Sequence, residues 1–323
     1  MSDKCCDYLY VFETTHAAIA AEQALLGGDL AVRVMPVPTA IAAGCGIGLR
    51  VPKGQLVQAN TLLKAQEIAN DVHHVAPAFP LYQAKALFSP ALGLIPGDAL
   101  AIVGCGGKTA LLHRLAAELR SEIVLLATTT RILFPTIPVD NVCPPALQAG
   151  VNLFHGGFGD DNKKLLPPDL AYLETLRSSG DYTLLECDGS KGLPLKGWAE
   201  YEPAVPSWST VTVGVCTLWP VSTVLSEENV HRPEIFSQLT GAKLGDVSTL
   251  AHVAAMISHE DGLFGKAVGR RYLFLNQVES EEQMAQALEL VAILPQMFKD
   301  SLTGILAGSV QQGTVTLLSG EAK

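Results

Sequence analysis

The fold of this chain is decided by the stretch Leu100-Ala101-Ile102-Val103-Gly104-Cys105-Gly106-Gly107-Lys108-Thr109. An apolar run breaks into glycines and ends in Lys-Thr, and the residues that follow are apolar at helical spacing. This pattern predicts a strand, a turn and a helix. Glycines let backbone N–H groups approach phosphate oxygens, and the N-terminus of the helix adds partial positive charge. The stretch therefore predicts nucleotide binding, with phosphates cradled by Gly104, Gly106 and Gly107.

Lys108 and Thr109 complete this candidate phosphate loop. Lys108 supplies a charge to the β- and γ-phosphates, and Thr109 offers a hydroxyl to Mg²⁺. The common pattern G-x-x-x-x-G-K-[ST] requires glycine at position 102, where this chain has Ile102. The shorter spacing resembles the loop of Mur-type amide ligases and folylpolyglutamate synthases. A glycine-rich turn that binds nothing is the alternative, but it does not explain a Lys-Thr pair where a helix begins.

Composition narrows the class of protein. The chain has 323 residues, 48% of them hydrophobic, which is enough for two domains and excludes general disorder. A net charge of −10 argues against nucleic acid as the main partner, because such binding depends on neutralising phosphates. No apolar run approaches the ~20 residues of a membrane span. Seven scattered cysteines and a polar, acidic N-terminus predict free thiols in a cytoplasmic protein.

Secondary-structure patterns predict two α/β domains. Residues 1–75 form a small α/β unit, residues 76–97 a linker, and residues 98–323 a P-loop-like domain with a mostly parallel sheet and helices. In the large domain, strands are predicted at 99–103, 123–128, 182–187, 210–215 and 272–276. Helices are predicted after Thr109 and around 169–178, 248–258 and 280–291.

Three strand ends are candidates for the rest of a nucleotide site. The strand ending Glu186-Cys187-Asp188-Gly189 predicts a carboxylate beside the Mg²⁺ held by Thr109, and Asp188 is preferred because Gly189 marks the exit into a loop. Glu186 lies two residues earlier on the same face. Thr129 follows another strand, where it is either a ligand of Mg²⁺ or the γ-phosphate, or an ordinary strand-end residue.

The third strand end bears on the choice of base. Asn276-Gln277-Val278-Glu279 is a degraded form of the guanine-reading element Asn-Lys-x-Asp, in which a carboxylate accepts paired N–H bonds. Gln277 replaces lysine and Glu279 is one methylene longer than aspartate. The cofactor therefore stays open between ATP and GTP, with Mg²⁺.

Cys45 lies between Gly44 and Gly46 in the small domain. Flanking glycines expose a thiol and free backbone N–H groups to stabilise a thiolate. Most lone cysteines are small buried hydrophobic residues, which is the alternative for Cys45.

Residues from about 84 to 323 resemble the selenium-dependent hydroxylase accessory family of selenium cofactor biosynthesis. The resemblance rests on 103–109, Thr128-Thr129-Thr130, the string from Glu186 to Lys196 that contains Asp-Gly-Ser-Lys-Gly, Glu202-Pro203 and His231-Arg232-Pro233. It implies a nucleotide-binding protein that assists maturation of selenium-dependent molybdenum hydroxylases, with the apo-hydroxylase or its cofactor as partner. It also places Lys191 near an acidic substrate or phosphate.

Residues from about 7 to 75 resemble the small selenium/sulfur carrier domain family. The shared motifs are Thr15-His16-Ala17 with Glu22, Pro36-Val37-Pro38 and Gly44-Cys45-Gly46. This resemblance implies that Cys45 carries selenium or sulfur received from a donor.

Together these features predict an accessory protein in which Lys108, Asp188 and Cys45 carry the chemistry. Two other functions stay open, a nucleotide-switched, GTPase-like delivery chaperone and an ATP-dependent ligase-like enzyme of unrelated substrate. The reaction itself is open between hydrolysis of a nucleoside triphosphate and ATP-dependent transfer or ligation.

Overall fold

The computed structural model describes residues 7–12, 14–28, 30, 32–36, 47–52, 55–66, 68–75, 87–133, 139–159 and 164–320. Contacts divide the chain into two compact units, Met1–Gln83 and Ala84–Lys323. The first is a small α/β unit, and the second contains a large, mostly parallel sheet flanked by helices. The predicted fold class is confirmed.

The first unit follows the element order βαββαβ. Its elements are β1 (Asp7–Val11), α1 (Thr15–Gly27), β2 (Arg33–Pro36), β3 (Ile47–Pro52), α2 (Leu56–Ala65) and β4 (Asp71–Val75). The strands form one antiparallel sheet in the order β2-β3-β1-β4. This succession is the ferredoxin-like arrangement.

The core of the first unit lies between its sheet and its two helices. Tyr10, Leu25, Leu49 and Leu63 are fully or almost fully buried there. Strand β4 was not predicted, because the sequence Asp-Val-His-His-Val at the edge of the sheet lacks the apolar alternation of a half-buried strand.

The second unit has thirteen strands among its described residues. They are β5 (Ala99–Gly104), β6 (Ile123–Thr128), β7 (Ile132–Leu133), β8 (Asn141–Val142), β9 (Gly150–Leu153), β10 (Lys164–Leu165), β11 (Tyr182–Glu186), β12 (Leu195–Lys196), β13 (Val211–Thr217), β14 (Val230–His231), β15 (Arg270–Asn276), β16 (Gly304–Ser309) and β17 (Thr314–Gly320). Nine of them form one sheet in the order β17-β16-β15-β13-β5-β11-β6-β9-β8. All neighbouring pairs are parallel except β16 with β17.

The helices of the second unit connect these strands. They are α3 (Phe88–Ala91), α4 (Lys108–Glu118), α5 (Leu170–Arg177), α6 (Pro233–Thr240), α7 (Leu250–Ser258), α8 (Glu281–Ile293) and α9 (Gln296–Asp300). The predicted strands and helices of this unit agree with the observed ones to within two residues at each end. The elements that were not predicted are β7, β8, β9, β10, β12, β14, β16, β17, α6 and α9. Phe88 begins α3, is buried in this unit and donates its backbone N–H to Glu118.

The central strands read as continuous apolar runs because both faces of the sheet are covered. Every residue of β5 and of β13 is buried. Helix starts are marked by short polar side chains, since Asp169, Thr249 and Ser280 each accept a hydrogen bond from a backbone N–H in the first turn.

The strand order places a crevice at the end of β5. After β5 the chain builds β6, β9 and β11 on one side of it, and then β13, β15 and β16 on the other. Ligands of open α/β sheets bind at the carboxyl ends of the strands where this order reverses. None of the helices that the structure describes is long and apolar enough to cross a membrane.

Gly104 provides a test of how tightly the end of β5 is packed. Its φ is +105°, and a Cβ atom there would lie 2.2 Å from the carbonyl oxygen of Val215. We expect Gly104→Ala to lower the free energy of unfolding by about 2–5 kcal/mol, because backbone strain and overpacking add. The measurement is chemical denaturation followed by tryptophan fluorescence, since Trp198, Trp208 and Trp219 are all in the second unit.

The matched control is Gly97→Ala. Gly97 also has a positive φ, +92°, but nothing lies within 4 Å of a Cβ atom there. Gly97→Ala should lower the free energy of unfolding only through backbone strain, by about 1–2 kcal/mol. Equal losses in both variants would contradict a packing role for Gly104.

Candidate functional site

A cleft of about 1270 Å³ opens at the carboxyl end of the central strands. It brings together most of the residues that the sequence singled out from separate segments. Its lining includes Gly106, Gly107, Lys108, Thr109, Thr129, Thr130, Arg131, Lys164, Glu186, Lys191, Tyr201, Glu202, Trp219, His231, Arg232 and Gln277. Five of these are lysine or arginine and two are glutamate, so the lining is cationic in a chain of net charge −10.

The glycines of the phosphate loop are required by its conformation. Gly104, Gly106 and Gly107 have φ values of +105°, +95° and +116°, which side chains rarely adopt. A Cβ atom on Gly107 would lie 2.3 Å from the side-chain nitrogen of Asn276. Asn276 donates that nitrogen to the carbonyl of Gly106 at 2.8 Å, which ties the loop to the end of β15. Helix α4 then begins at Lys108, as predicted.

Lys108 is buried beneath the loop. Its Nζ donates to the carbonyl oxygen of Gly104 at 2.6 Å and lies 3.4 Å from Asp188 Oδ1 and 4.0 Å from Glu186 Oε1. Burial by itself would lower the pKa of Lys108, but the two carboxylates raise it above its ordinary value. Lys108 is therefore a charged ammonium group at the floor of the cleft.

Glu186 is the carboxylate that faces Thr109. Thr109 donates its hydroxyl to Glu186 Oε2 at 2.8 Å, and both residues line the cleft. Burial raises the pKa of Glu186, while Lys108 and the Thr109 hydroxyl act in the opposite direction. A hydroxyl and a carboxylate side by side are oxygen ligands of the kind that Mg²⁺ prefers.

Asp188 occupies a different environment from the one predicted. It is fully buried, and its oxygens accept from the Gly104 amide at 3.0 and 3.1 Å, Lys196 Nζ at 2.9 Å and Trp198 Nε1 at 2.7 Å. Burial would raise the pKa of Asp188, but Lys108, Lys196 and these hydrogen bonds hold it below its ordinary value. Its oxygens are used within the protein, and it is not among the residues that line the cleft. The geometry therefore favours Glu186 as the carboxylate beside a cation, whereas the exit into a loop at Gly189 favours Asp188.

A chain of alternating buried charges continues from Asp188. Lys196 is fully buried and lies 2.9 Å from both Asp188 Oδ2 and Glu202 Oε2. Glu202 in turn pairs with Arg232. The short parallel pair β12–β14 places Lys196 next to His231, which brings the segment after β11 against the segment before α6. Sequence reasoning missed Glu202 and Arg232 as site residues, although both lie in the strings that carry the resemblance.

The end of β15 meets the cleft at Gln277. Thr217 donates its hydroxyl to Gln277 Oε1 at 2.6 Å, and Gln277 has a φ of +65°. Glu279 accepts a hydrogen bond from the Ser309 hydroxyl at 2.7 Å. The end of β15 is therefore followed by a fixed carboxylate, that of Glu279, three residues after Asn276, which is hydrogen-bonded to the loop.

Cys45 and its two flanking glycines lie outside the described residues, so the structure leaves the predicted carrier thiol untested. Of the four described thiols, Cys105, Cys187 and Cys216 are buried and Cys143 is exposed. Burial raises the pKa of Cys105 to about 12 and also raises those of Cys187 and Cys216. Within the described part of the chain, no group of three or more His, Cys, Asp or Glu side chains is arranged to hold a metal ion.

Comparison with known proteins gives the family. A curated protein of Escherichia coli (strain K12), named Uncharacterized protein YqeC, is 31% identical over 227 residues, which are 66% of this chain and 88% of that protein. The chain belongs to the YqeC family. The family model described as YqeC protein matches residues 100–234, which include the phosphate loop, Glu186, Asp188 and Arg232.

A second family model matches the N-terminal region. It is described as Putative Se/S carrier protein-like and covers residues 7–73. The predicted carrier-like region is thus confirmed next to the YqeC part, and the two matches support a selenium-related protein. No solved structure matches the chain.

Asp188 in the YqeC part provides a second test. Asp188→Asn removes the charge between Lys108 and Lys196, and we expect the free energy of unfolding to fall by about 3–5 kcal/mol. In the wild type, the pKa of Asp188 is lower in the folded state than in the unfolded state. Its stabilisation should therefore be complete above pH ~4 and be lost as the pH falls below that value. Denaturation followed by tryptophan fluorescence at pH 7 and pH 3 measures both effects.

Glu186→Gln is the matched variant for this test. Glu186 accepts one hydrogen bond, from Thr109, and lies 4.0 Å from Lys108, so the substitution should lower the free energy of unfolding by less than Asp188→Asn does, by about 1.5 kcal/mol. An Asp188→Asn protein as stable as the wild type at pH 7 would disprove the anchoring role of Asp188.

Proposed function

We propose that the second unit is a Mg²⁺-dependent nucleotide-binding domain that hydrolyses a nucleoside triphosphate. The observation that carries the proposal is the hydrogen bond between Thr109 and Glu186, beside a loop of glycine amides and the buried ammonium of Lys108. Each phosphate-binding element lies at the switch point of the sheet, where ligands of this architecture bind. The cationic lining of the cleft favours an anionic ligand.

In this proposal the residues of the loop bind and orient the phosphates. The amides of 104–109 and the start of α4 attract phosphate oxygens. Lys108, which now donates to the Gly104 carbonyl, provides the charged contact to the β- and γ-phosphates. Asp188 positions Lys108 and the Gly104 amide from behind the loop.

Thr109 and Glu186 are the residues that would hold Mg²⁺. Their oxygens are already next to each other, and the donor set suits a hard cation. When bound, Mg²⁺ would neutralise charge on the phosphates. Thr129 and Arg131 also line the cleft at the end of β6, so they are the proposed contacts to the terminal phosphate.

Both ATP and GTP remain proposed ligands. Asn276 ties the loop to β15, and Glu279 is held by Ser309 at the same end of the sheet. A carboxylate fixed at that end favours guanine, whose N–H groups pair with a carboxylate, although Glu279 is not among the residues that line the cleft. This observation makes a GTP-dependent delivery chaperone the second candidate function, beside an enzyme that uses ATP.

The first unit is proposed to be the selenium or sulfur carrier, with Cys45 as the thiol. The support is the carrier-like family match over residues 7–73, which includes Gly44-Cys45-Gly46. The proposed partners are a selenium or sulfur donor and a selenium-dependent molybdenum hydroxylase or its cofactor. The thiols of the whole chain fit a reducing cytoplasm.

The nucleotide proposal is tested by two variants measured side by side. Lys108→Ala should weaken ATP and GTP binding by roughly tenfold or more, because a hydrogen bond to a charged group contributes about 1.5–3 kcal/mol. Glu186→Gln should keep most of the nucleotide affinity but lose at least about 90% of Mg²⁺-dependent hydrolysis, since an amide is a poor partner for a hard cation. Calorimetry and phosphate release measure the two quantities.

Glu227→Gln is the control, because Glu227 is an exposed glutamate that does not line the cleft. Tryptophan fluorescence checks that each variant is folded. Unchanged nucleotide affinity in a folded Lys108→Ala protein would refute the phosphate-loop assignment. Normal hydrolysis in Glu186→Gln would refute the cation site.

The carrier proposal is tested by loading the full chain from a small-molecule persulfide or selenopersulfide, whose outer sulfur or selenium passes to the attacking cysteine thiolate while the donor leaves as a thiol. The added mass is then mapped on peptides. The peptide that contains Cys45 should gain the mass, and Cys45→Ala should lose it while nucleotide binding continues. Cys143→Ala is the control, since Cys143 is the exposed thiol of the described residues. Preferential loading at Cys143 would contradict the assignment.

A further inference from the structure

One wall of the cleft is left over when a nucleotide is assigned to the phosphate loop. It consists of Lys191, Tyr201, His231 and Arg232, which we call the Arg232 wall, and all four residues line the cleft. Arg232 Cζ lies 5.8 Å from the centre of the Tyr201 ring, and its Nη2 donates to the Tyr201 hydroxyl at 3.4 Å. The Tyr201 side chain is 70% exposed, which leaves most of its ring available to a ligand.

The Arg232 wall is positively charged. Arg232 is held by Glu202, and the same carboxylate also pairs with the buried Lys196, so one negative charge is shared by two cations. Lys191 is exposed and forms no ion pair with any residue that the structure describes. Burial lowers the pKa of His231 to about 4, together with the charges of Arg232, Lys196 and Lys191. The imidazole is therefore neutral at pH 7, and Lys191 is the charge of the wall for which the described residues provide no ion pair.

The backbone at this wall is unusual. Lys191 has a φ of +53° and Arg232 a φ of +57°, in the left-handed region where glycine is the ordinary choice. Such conformations cost free energy and occur where the surrounding structure holds them, often at ligand sites. Two long cationic side chains stand at these positions instead of glycine.

The geometry of the loop directs a nucleotide away from the Arg232 wall. The Thr109–Glu186 pair marks the end at which the cation and terminal phosphate would lie, on the β11 side of the loop. Asn276 and Gln277 mark the opposite side, at the end of β15, where the nucleoside would leave the loop. The Arg232 wall is built from the segment after β11 and from the end of β14 with the residue that follows it, which the β12–β14 pair and the ion pairs of Lys196 and Glu202 connect to Asp188. These connections place the wall with the β11 side of the cleft, away from Asn276 and Gln277.

The size of the cleft supports two ligands. Sites for single small molecules commonly enclose about 300–1,000 Å³. The cleft measures about 1270 Å³.

We propose that the Arg232 wall is a second subsite, which binds a planar, anionic small molecule next to the nucleotide. Lys191 and Arg232 would contact its phosphate or carboxylate group, and the exposed ring of Tyr201 would stack on its planar part. This inference rests on the proposed function, because it assigns the substrate class of the same cleft. The buried chain Lys108–Asp188–Lys196–Glu202–Arg232 links the two subsites through direct ion pairs.

The test uses flavin mononucleotide as the planar anionic probe and riboflavin as its uncharged counterpart. The full chain is first saturated with Mg²⁺ and a non-hydrolysable nucleotide, and probe binding is followed by fluorescence anisotropy. We expect flavin mononucleotide to bind the nucleotide-loaded protein. The affinity for riboflavin should be lower by a factor of roughly ten or more, because riboflavin lacks the phosphate.

Lys191→Ala and Tyr201→Leu should each weaken the binding of flavin mononucleotide by roughly tenfold, while leaving the affinity for nucleotide unchanged. The matched controls are Lys243→Ala and Tyr172→Leu, which change exposed residues that do not line the cleft. Lys108→Ala should lose nucleotide binding and keep binding of the probe.

Four results would overturn the second subsite, three of which concern the binding of the probe. These three are competition between the probe and the nucleotide for one site, equal binding of riboflavin, and absence of probe binding. A loss of nucleotide affinity in Lys191→Ala and Tyr201→Leu would also overturn it, because the wall would then belong to the nucleotide. Failure of the wild type to bind any nucleotide, with probe binding that still depends on Lys191, would refute the proposed function and leave the subsite supported.

Discussion

The phosphate loop of this protein depends on one fully buried carboxylate, that of Asp188. It accepts the amide of Gly104, lies 3.4 Å from Lys108 and pairs with Lys196 at 2.9 Å. A buried charge without partners would be very costly, and here two ammonium groups and an indole N–H offset the loss of water. The end of β5, the start of α4 and the segment after β11 are held together through these contacts.

This constraint separates the roles of two acidic residues that lie two positions apart. Asp188 uses its oxygens to hold the framework, so little of its bonding capacity is left for a ligand. Glu186 has the Thr109 hydroxyl as its hydrogen-bond donor and opens to the cleft. The number of protein donors around each carboxylate therefore distinguishes the two residues, and it is the reason that Glu186 is the proposed cation ligand.

The same packing gives the two units different chemistry. Around the phosphate loop, Cys105, Cys187 and Cys216 are buried, and burial raises their pKa values, so they are poor nucleophiles. Their place in the core is that of small apolar side chains. The described thiols of the second unit are therefore part of its core, and the proposed sulfur or selenium carrier is the first unit, where the carrier-like family match lies.

The sequence by itself determined the α/β class, the strand–loop–helix at 99–118 and the strands whose ends carry polar residues. Apolar periodicity and glycine turns are local signals, which is why these features can be recognised without the structure. It also indicated Lys108 and Thr109, whose positions follow from the start of a helix. Only the tertiary structure decided between Glu186 and Asp188, and only it joined Glu202 to Arg232, since these contacts depend on strand pairing and burial between distant segments. Edge strand β4 was missed because its sequence lacks the apolar alternation of a half-buried strand, so that only its pairing with β1, as between Tyr10 and Val72, defines it.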